Sequence, residues 1–315
     1  MSNRLNKYYR TTEEQYDNFA ITFIEAKQGF ISEISGSLKN LTGKMAGNDT
    51  GGQHKDWNNG DFAGWGAMGS TTPEGLIDTL FGMLADNAEQ HLNGVVRQSI
   101  TGDDITKVYL NTDGTNLKEL IQKFLVVGIA YSQATDDYLG HETANKGLTT
   151  DNVGQDKGTA AYSTLEHQFD EGFGYFGATR DYLAYNDNEI AGKVSSDEDG
   201  RSDWNGKHDS DGDEEIDLTS ELIFGHAANA AKRDRGTAAN TNPTNFTKQI
   251  MDAFIEGRKI INDSTGLIFI DGQITALTEQ RDIIVDGWER AIASTVIHYI
   301  NDTHADLTTF GSADF

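Results

Sequence analysis

The sequence TLEHQFDEGFGYFGATRDYL, residues 164–183, carries the clearest helical pattern of this chain. At about 100° per residue, its large apolar side chains fall on one side of a helix. They are Leu165, Phe169, Phe173, Phe176 and Leu183. A stripe of this width is typical of a helix that faces a protein core. The pattern therefore predicts a core-facing helix over residues 164–183.

The opposite side of this predicted helix is polar, with small residues between the polar ones. It carries His167, Asp170, Glu171, Gly174, Ala178 and Asp181. Spacings of three and four residues bring the side chains of His167, Asp170 and Glu171 together on one helical face. Exposure to water is the ordinary state of such a face. A polar site between two helices is the alternative.

Three glycines favour the polar site. They are Gly172, Gly174 and Gly177. Inside a helix each costs about 1 kcal/mol relative to alanine, and exposure to water alone gives no reason for that cost. Close packing of a second helix does, because a residue without a side chain lets another backbone approach. We therefore expect a partner helix on this face.

Helical periodicity and capping residues predict six further helices. Thr72 caps one of them, with Pro73 at its first position, and Asn116 and Ser220 cap two others. The predicted ranges are residues 13–41, 73–100, 117–139, 221–236, 242–262 and 273–302. The connectors are rich in Gly, Asn and Asp, and a long one covers residues 43–72. The short apolar run at residues 267–270 is ambiguous, and no other stretch resembles a strand.

These elements indicate an all-α fold of antiparallel helical bundles. We expect an N-terminal bundle over residues 1–150 and a C-terminal bundle over residues 151–315, or one compact unit built from both. Residues 186–217 are the most acidic part of the chain and nearly lack apolar side chains. We interpret them as an insertion at the bundle surface.

Composition limits the function classes. Asp and Glu number 50 against 25 Lys and Arg, which gives a formal net charge of −25 and disfavours nucleic acid and anionic membranes as partners. The absence of cysteine excludes disulfides and thiolate sites, so oxygen and imidazole must hold any metal. No apolar run approaches the roughly 18 residues of a transmembrane segment, and the first residues show no signal peptide.

The acidic insertion ends in a loop that resembles an EF-hand calcium loop. Carboxylates occupy loop positions one, three, five and nine, and Ile216 occupies position eight. Glu214 stands at position six, where glycine is usual, and Glu221 follows the twelfth position, where a bidentate Glu is usual. The candidate ligands are Asp209, Asp211, Asp213, Glu215, Asp217 and Glu221. A solvated acidic loop is the alternative.

The predicted helix after this loop, ELIFGHAANAAKRDRG, is rich in small residues that permit close helix packing. His226, Asn229 and Arg233 share one of its faces at spacings of three and four. A single histidine on a tightly packed helix is more often a hydrogen-bonded core residue than a ligand. We expect His226 to matter for binding if its face meets His167.

Four segments together resemble a bacterial family of uncharacterised domains that belongs with the imelysin-like proteins. They are DGTNLKELIQKFLVVGIAYSQATDDYL (113–139), EHQFDEGFGYFGATRDYL (166–183), SELIFGHAANAAKRDRG (220–236) and FTKQIMDAFIEGRKIIN (246–262). The resemblance implies two four-helix bundles, export to the periplasm or outer surface, and a link to iron uptake. The family hallmark GxHxxE corresponds here to Glu166, His167 and Asp170. Glu166 replaces the glycine of the hallmark, and Asp170 replaces its glutamate.

The residues favour a non-enzymatic binding protein, and the resemblance implies that it is extracytoplasmic. A cleft between the bundles would hold a metal cation or a small polar ligand, with iron or zinc as transition-metal candidates and Ca²⁺ in the acidic loop. The expected cleft residues are Glu166, His167, Asp170, Glu171, Arg180, Asp181, His226, Asn229 and Arg233. A surface interaction protein without a ligand is the alternative, in which arginines neutralise the carboxylates. A metal-dependent hydrolase is weaker, since the chain has no HExxH motif.

Overall fold

The computed structural model describes residues 19–35, 41–194 and 204–309. Helices dominate these residues, and the two sheets are antiparallel pairs of two-residue strands, so the predicted all-α class is confirmed. The chain divides into two compact units, residues 1–146 and 147–315. In the described part of the chain, none of the helices is both long enough and apolar enough to cross a membrane.

Within residues 19–35 and 41–146, the first unit contains three α-helices: α1 (Ile31–Ile34), α2 (Pro73–Leu92) and α3 (Leu117–Leu125). Two π-helical stretches, Val126–Tyr131 and Gln133–Tyr138, continue α3. Strands β1 (Arg97–Gln98) and β2 (Asp104–Ile105) form an antiparallel pair after α2. The core of the unit lies between α2, α3 and the segment around Met45. Its buried members are Met45, Ile77, Leu80, Phe81, Leu84, Leu117, Ile121 and Ile129.

Local capping signals place the helix starts of this unit correctly. The Thr72 hydroxyl accepts a hydrogen bond from the Gly75 amide at 3.0 Å, and Pro73 is the first residue of α2. The Asn116 side chain accepts from the Glu119 amide at the start of α3. Helix α2 ends at Leu92 and not near residue 100, because Gly94 takes a positive φ of 74° that ends the helix before β1.

The predicted helix over residues 13–41 is wrong within residues 19–35. Ala20 pairs with Phe30 as an antiparallel bridge, and the amide of Ile31 donates to the carbonyl of Phe19. These backbone bonds hold the two ends of the segment together, which a continuous helix cannot do. The helical part is α1 alone; residues 13–18 and 36–40 lie outside the described residues.

The second unit contains α4 (Thr164–Phe176), α5 (Asp187–Ile190), α6 (Gly225–Asp234), α7 (Phe246–Asn262) and α8 (Asp271–Thr308). Strands β3 (Gly236–Thr237) and β4 (Asn240–Thr241) pair between α6 and α7. The most extensive helix contact is between α7 and α8, and α4 and α6 pack against this pair. Trp288, Phe176, Phe254 and Tyr182 form an aromatic cluster in the core, with ring centroids 5.0 to 6.1 Å apart. The apolar run at residues 267–270 leads into α8 and forms no strand.

Two predicted helix boundaries in this unit are corrected. Helix α4 ends at Phe176 because Gly177 takes a left-handed conformation, with φ 86°. A Cβ added at Gly177 would lie 2.5 Å from the carbonyl oxygen of Phe224, so the two backbones pack closely there. Helix α6 begins at Gly225, so Ser220 is not its cap. Residues 220–224 are held outside the helix by backbone bonds, among them Ile223 to Gly206 and Phe224 to Gly177.

Gly174, one of the three glycines expected to face a partner helix, does not have that role. Gly174 is exposed, and a methyl group added there would meet no atom within 4 Å. Gly257 on α7 is instead the close contact, since an added Cβ would lie 2.6 Å from Cζ of Phe169. The partner of α4 is therefore α7, which packs on its apolar side through Gly257.

This difference gives a matched pair of substitutions. Gly174→Ala should stabilise the protein by about 0.5–1 kcal/mol, because alanine removes the entropic cost of glycine in an open helical position. Gly257→Ala should destabilise it by about 1–2 kcal/mol, because overpacking against Phe169 outweighs the same helical gain. Urea unfolding of both variants measures the two effects, and stabilisation by both would contradict the assigned contact.

Candidate functional site

The polar side of α4 carries Glu166, whose buried carboxylate accepts hydrogen bonds from three residues. Glu166 is 5% exposed, and its carboxylate accepts hydrogen bonds from the Ser163 amide at 2.7 Å and from Nη1 of Arg258 at 3.0 Å. The hydroxyl of Thr265 donates to it at 3.2 Å. Nε of Arg258 also donates to Oδ1 of Asp170 at 2.9 Å. One guanidinium on α7 thus connects two carboxylates on α4.

The electrostatics of Glu166 follow from these contacts. Burial alone would raise its pKa, but the Ser163 amide and the Arg258 guanidinium outweigh burial, so the pKa is lowered. Glu166 therefore remains ionised, and its charge is balanced within the protein. The arginine in this position is Arg258, and not Arg180 and Arg233, the two arginines of the expected cleft.

His167 and Glu171 form a separate pair on the next part of α4. Nε2 of His167 lies 3.3 Å from Oε1 of Glu171, and the imidazole stacks on the Tyr162 ring with centroids 5.5 Å apart. Both side chains are partly exposed. The predicted proximity of His167 to a carboxylate four residues away is confirmed.

The other expected cleft residues lie elsewhere. His226 is buried with its ring 4.8 Å from the Trp288 ring, as expected for a core histidine. Asn229 accepts a hydrogen bond from Thr295, and burial lowers the pKa of Arg233. Arg180 is exposed, and Asp181 lies 3.6 Å from His208 in the turn after α4. Arg180 and Asp181 do not share a helical face with His167, because α4 ends at Phe176, before both residues.

The acidic loop brings three of its six predicted ligands together. In the described part of the chain, one group of three acidic or histidine residues has ligand atoms that all lie within 4.8 Å of one another: Asp209, Asp211 and Glu221. Glu221 is buried, whereas Asp209 is half-buried and Asp211 is exposed. Asp213, Glu215 and Asp217 lie in the same loop but outside this group.

Hydrogen bonds curl the loop around its first and last carboxylates. The Asp209 carboxylate accepts from the amides of Gly212, Asp213 and Glu214 at 2.6 to 3.2 Å. One oxygen of Glu221 accepts from the amide and hydroxyl of Ser210, and the other accepts from the Asp217 amide. This arrangement joins the start of the loop to its end.

These hydrogen bonds also keep the two carboxylates charged. The amides of Glu214, Gly212 and Asp213 lower the pKa of Asp209. Burial would raise the pKa of Glu221, but its hydrogen bonds from Ser210 and Asp217 outweigh burial and lower it. Two anionic groups therefore lie close to each other and to Asp211, an arrangement that attracts a cation.

Glu214 occupies the position at which an EF-hand loop carries glycine, and it takes the conformation that glycine would take. Its φ is 68°, in the left-handed region that non-glycine residues seldom adopt. Ile216, the residue at loop position eight, is buried, as the apolar residue in that position is expected to be. The sequence departure at Glu214 therefore leaves the path of the loop intact.

A polar cluster in the first unit was not singled out from the sequence. Gln133 and Asp137 are buried on the second π-helical stretch, next to the loop that carries Asp49 and His54. A signal was available, since Gln133, Asp136 and Asp137 interrupt a helix that is otherwise apolar on most sides. Periodicity did not reveal it, because a π-helix changes which residues share a face.

Comparison with known proteins identifies one family. Residues 70–207 match the model of an uncharacterised family, Domain of unknown function (DUF4856). No curated protein and no solved structure matches the chain. The match spans π-helical residues 126–138 and helix α4, and it ends before the acidic loop. Over residues 70–207, which are fewer than half of its 315 residues, the chain is thus similar to an uncharacterised family.

Proposed function

We propose that this chain is a non-enzymatic binding protein whose loop 209–221 binds Ca²⁺. The observation that carries the proposal is the convergence of Asp209, Asp211 and Glu221, whose ligand atoms lie within 4.8 Å of one another. Oxygen ligands from carboxylates are the ones that Ca²⁺ prefers. The donor set therefore fits a hard divalent cation better than iron or zinc, which favour imidazole or thiolate.

The bound cation would have a structural effect. Glu221 joins the end of the loop to Ser210, and the residue after it forms a bridge with Lys207. Ile223 donates to Gly206, and Phe224 donates to the carbonyl of Gly177 at the end of α4. A cation at Asp209 and Glu221 would thus stabilise the connection between the acidic insertion, α4 and α6.

We prefer the loop to the α4 face as the cation site. Arg258 lies between the Glu166 and Asp170 carboxylates and supplies the positive charge that a metal would otherwise supply. This contact favours the second candidate function, a surface interaction protein in which the α4 face is an internal polar network. The two functions are compatible, since calcium would stabilise the scaffold that presents the interaction surface.

The remaining part of the proposal is the extracytoplasmic location. The segments that resemble imelysin-like proteins support it. The imelysin-like relationship itself belongs to the proposal, as does any link to iron uptake.

Calcium binding is tested by thermal unfolding in chelator and in added Ca²⁺. At a Ca²⁺ concentration one hundred times the Kd, the folded protein should gain about 2.7 kcal/mol. Glu221→Gln should abolish this gain, because glutamine keeps one oxygen acceptor but removes the buried negative charge. Glu215→Gln in the same loop is the matched control, since its exposed side chain lies outside the converging group.

A second measurement uses Trp204, whose ring centroid lies 3.8 Å from that of His208 just before the loop. Excitation of tryptophan should produce Tb³⁺ emission that saturates and that Ca²⁺ reverses, and Trp204→Phe should weaken it. Equal unfolding temperatures in chelator and Ca²⁺, together with no sensitised Tb³⁺ emission, would exclude the site.

A further inference from the structure

The last part of α8 runs past the helix on which α8 packs. A Cβ added at Gly257 of α7 would contact Leu277, and a Cβ added at Gly287 of α8 would contact Ile250, so the two helices are antiparallel. Helix α7 begins only four residues before Ile250. About four residues after Gly287, α8 therefore passes the first residue of α7. Residues 292–308 extend beyond it.

This end of α8 is exposed to solvent along most of its length. Every residue from 299 to 308 is exposed, and so are Val296 and Ile297. Helix α6 contacts α8 at Thr295, whose hydroxyl donates to Oδ1 of Asn229 at 3.0 Å. One side of α8 is therefore covered at this point, and the other sides are open.

One open face of this helix end is apolar. At about 100° per residue, six side chains fall within an arc of about 100°. This face, called the α8 stripe below, consists of Ile292, Val296, Tyr299, Ile300, Thr303 and Leu307. Val296, Tyr299, Ile300 and Leu307 are each 46–61% exposed. Isolated exposed apolar residues are ordinary, but a continuous exposed row of them indicates an interaction surface.

The α8 stripe can be covered at little cost. The Thr303 hydroxyl donates to the Tyr299 carbonyl at 2.8 Å, so this polar group already has its partner inside the helix. The acidic and basic residues of this helix end lie outside the arc of the stripe. They are His298, Asp302, His304 and Asp306. A partner on the stripe would therefore bury neither a charge nor the unpaired hydroxyl of a threonine.

The spacing of the α8 stripe is the same in both directions along the chain. The intervals between its successive members are 4, 3, 1, 3 and 4 residues. Two copies that meet antiparallel, with a twofold axis between positions 299 and 300, bring equivalent intervals together. The facing pairs are Ile292 with Leu307, Val296 with Thr303, and Tyr299 with Ile300. A twofold interface requires such self-complementarity, whereas an unrelated partner helix does not.

We propose that the α8 stripe binds the α8 stripe of a second copy of this chain, as an antiparallel helix pair. Ile292, Val296, Tyr299 and Thr303 have the 4-3-4 spacing of a coiled-coil seam, which supports a helical partner. Six residues per copy are fewer than the roughly 20–30 residues per side of a standard stable interface. The dimer is therefore reversible, with a Kd in the micromolar range. It is independent of the calcium loop.

The charge of the chain determines how this dimer responds to salt. Each copy has a formal net charge of −25, so two copies repel each other. Salt screens that repulsion and leaves the apolar contact in place. Added NaCl should therefore lower the Kd of the dimer. A dimer that NaCl dissociates would be held by ion pairs and would contradict a contact through the α8 stripe.

The experiment measures the mass of the intact protein by sedimentation velocity, from low to high micromolar concentration. The unmodified protein should change from monomer to dimer over this range. Ile300→Glu should raise the Kd by about tenfold or more, because it places two like charges beside the twofold axis. Ala305→Glu is the matched control. It adds the same charge to an exposed position on the opposite side of the same helix end, and should leave the Kd within about twofold.

Cysteine cross-linking tests the antiparallel arrangement, and the chain suits it because it contains no cysteine. Val296→Cys and Thr303→Cys each introduce one thiol at an exposed position. In the antiparallel pair these two positions face each other. Two copies of the same variant would hold their thiols about 10 Å apart along the helix, too far for a disulfide. A mixture of the two variants should therefore form the mixed disulfide faster than either variant alone cross-links.

Four results would overturn the proposal. The first is a monomer at every concentration, with and without added NaCl. The second is an equal rise of the Kd in Ile300→Glu and Ala305→Glu. The third is a lower Tm of monomeric Ile300→Glu than of monomeric Ala305→Glu, which would show that Ile300 packs within its own chain. The fourth is faster cross-linking of each cysteine variant with itself than with the other variant.

Discussion

Arg258→Met should destabilise the folded protein by about 3 kcal/mol. The substitution keeps the apolar stem of the side chain and removes the guanidinium from Glu166 and Asp170. Glu166 is 5% exposed, so its charge would remain buried without its partner. The loss follows mainly from that uncompensated charge, because Asp170 is exposed to water and needs no partner. Urea unfolding measures the change in the free energy of unfolding.

Arg290→Met is the control for this prediction. Arg290 pairs with Asp286 at 2.9 Å with similar geometry, but both side chains are largely exposed. Its loss should change the free energy of unfolding by less than about 1 kcal/mol. The double variant Arg258→Met with Glu166→Gln should recover much of the lost stability. Equal effects of Arg258→Met and Arg290→Met would show that the α4 face is solvated and holds no internal network.

The same network has a pH dependence of known sign. The pKa of Glu166 is lowered in the folded protein from an ordinary value of 4.5. Its contribution to stability is therefore present above the unfolded value and is lost as pH falls through the lowered pKa. In Arg258→Met the acid-dependent part of the free energy of unfolding should be smaller. Measuring the free energy of unfolding of both proteins between about pH 6 and pH 3 gives the two pH dependences for comparison.

Phe176→Ala should destabilise the protein by about 4 kcal/mol. Phe176 is fully buried at the end of α4 and contacts the rings of Tyr182, Phe254 and Trp288. Removal of its ring leaves a cavity inside a cluster drawn from three other segments, and the cluster cannot collapse without moving α7 or α8. Thermal and urea unfolding should both show the loss.

Leu183→Ala is the informative comparison. The helical pattern of residues 164–183 assigns Leu183 to the same apolar stripe as Phe176, but Leu183 is 40% exposed because the helix ends before it. We expect Leu183→Ala to cost less than about 1 kcal/mol. A loss as large as that of Phe176→Ala would mean that α4 continues through Gly177 in solution.

Much of the local structure is readable from the sequence because it depends on neighbouring residues. Thr72 and Asn116 cap helices through bonds that reach three residues along the chain. The acidic spacing from Asp209 likewise predicts a curled loop, since the Asp209 carboxylate accepts hydrogen bonds from amides within five residues. The apolar positions Leu165, Phe169 and Phe176 are buried as their period predicts.

The candidate sites were less accessible to such reasoning. The correct arginine, Arg258, lies 88 and 92 residues from its two partners, so no spacing rule connects them. Gly174 and Gly257 are indistinguishable as helical glycines until the neighbouring helix is known. Gln133 and Asp137 are buried on a π-helical stretch that the 3.6-residue period does not represent.

The sequence by itself determined the helical class, the caps at Thr72 and Asn116, the apolar side of α4 and the acidic loop, because these follow from interactions within a few residues. The tertiary structure alone decided which charges are shared, which glycine is a contact, and which carboxylates are buried. Those properties arise when distant segments exclude water from one another, and burial of that kind is absent from any short stretch of the chain.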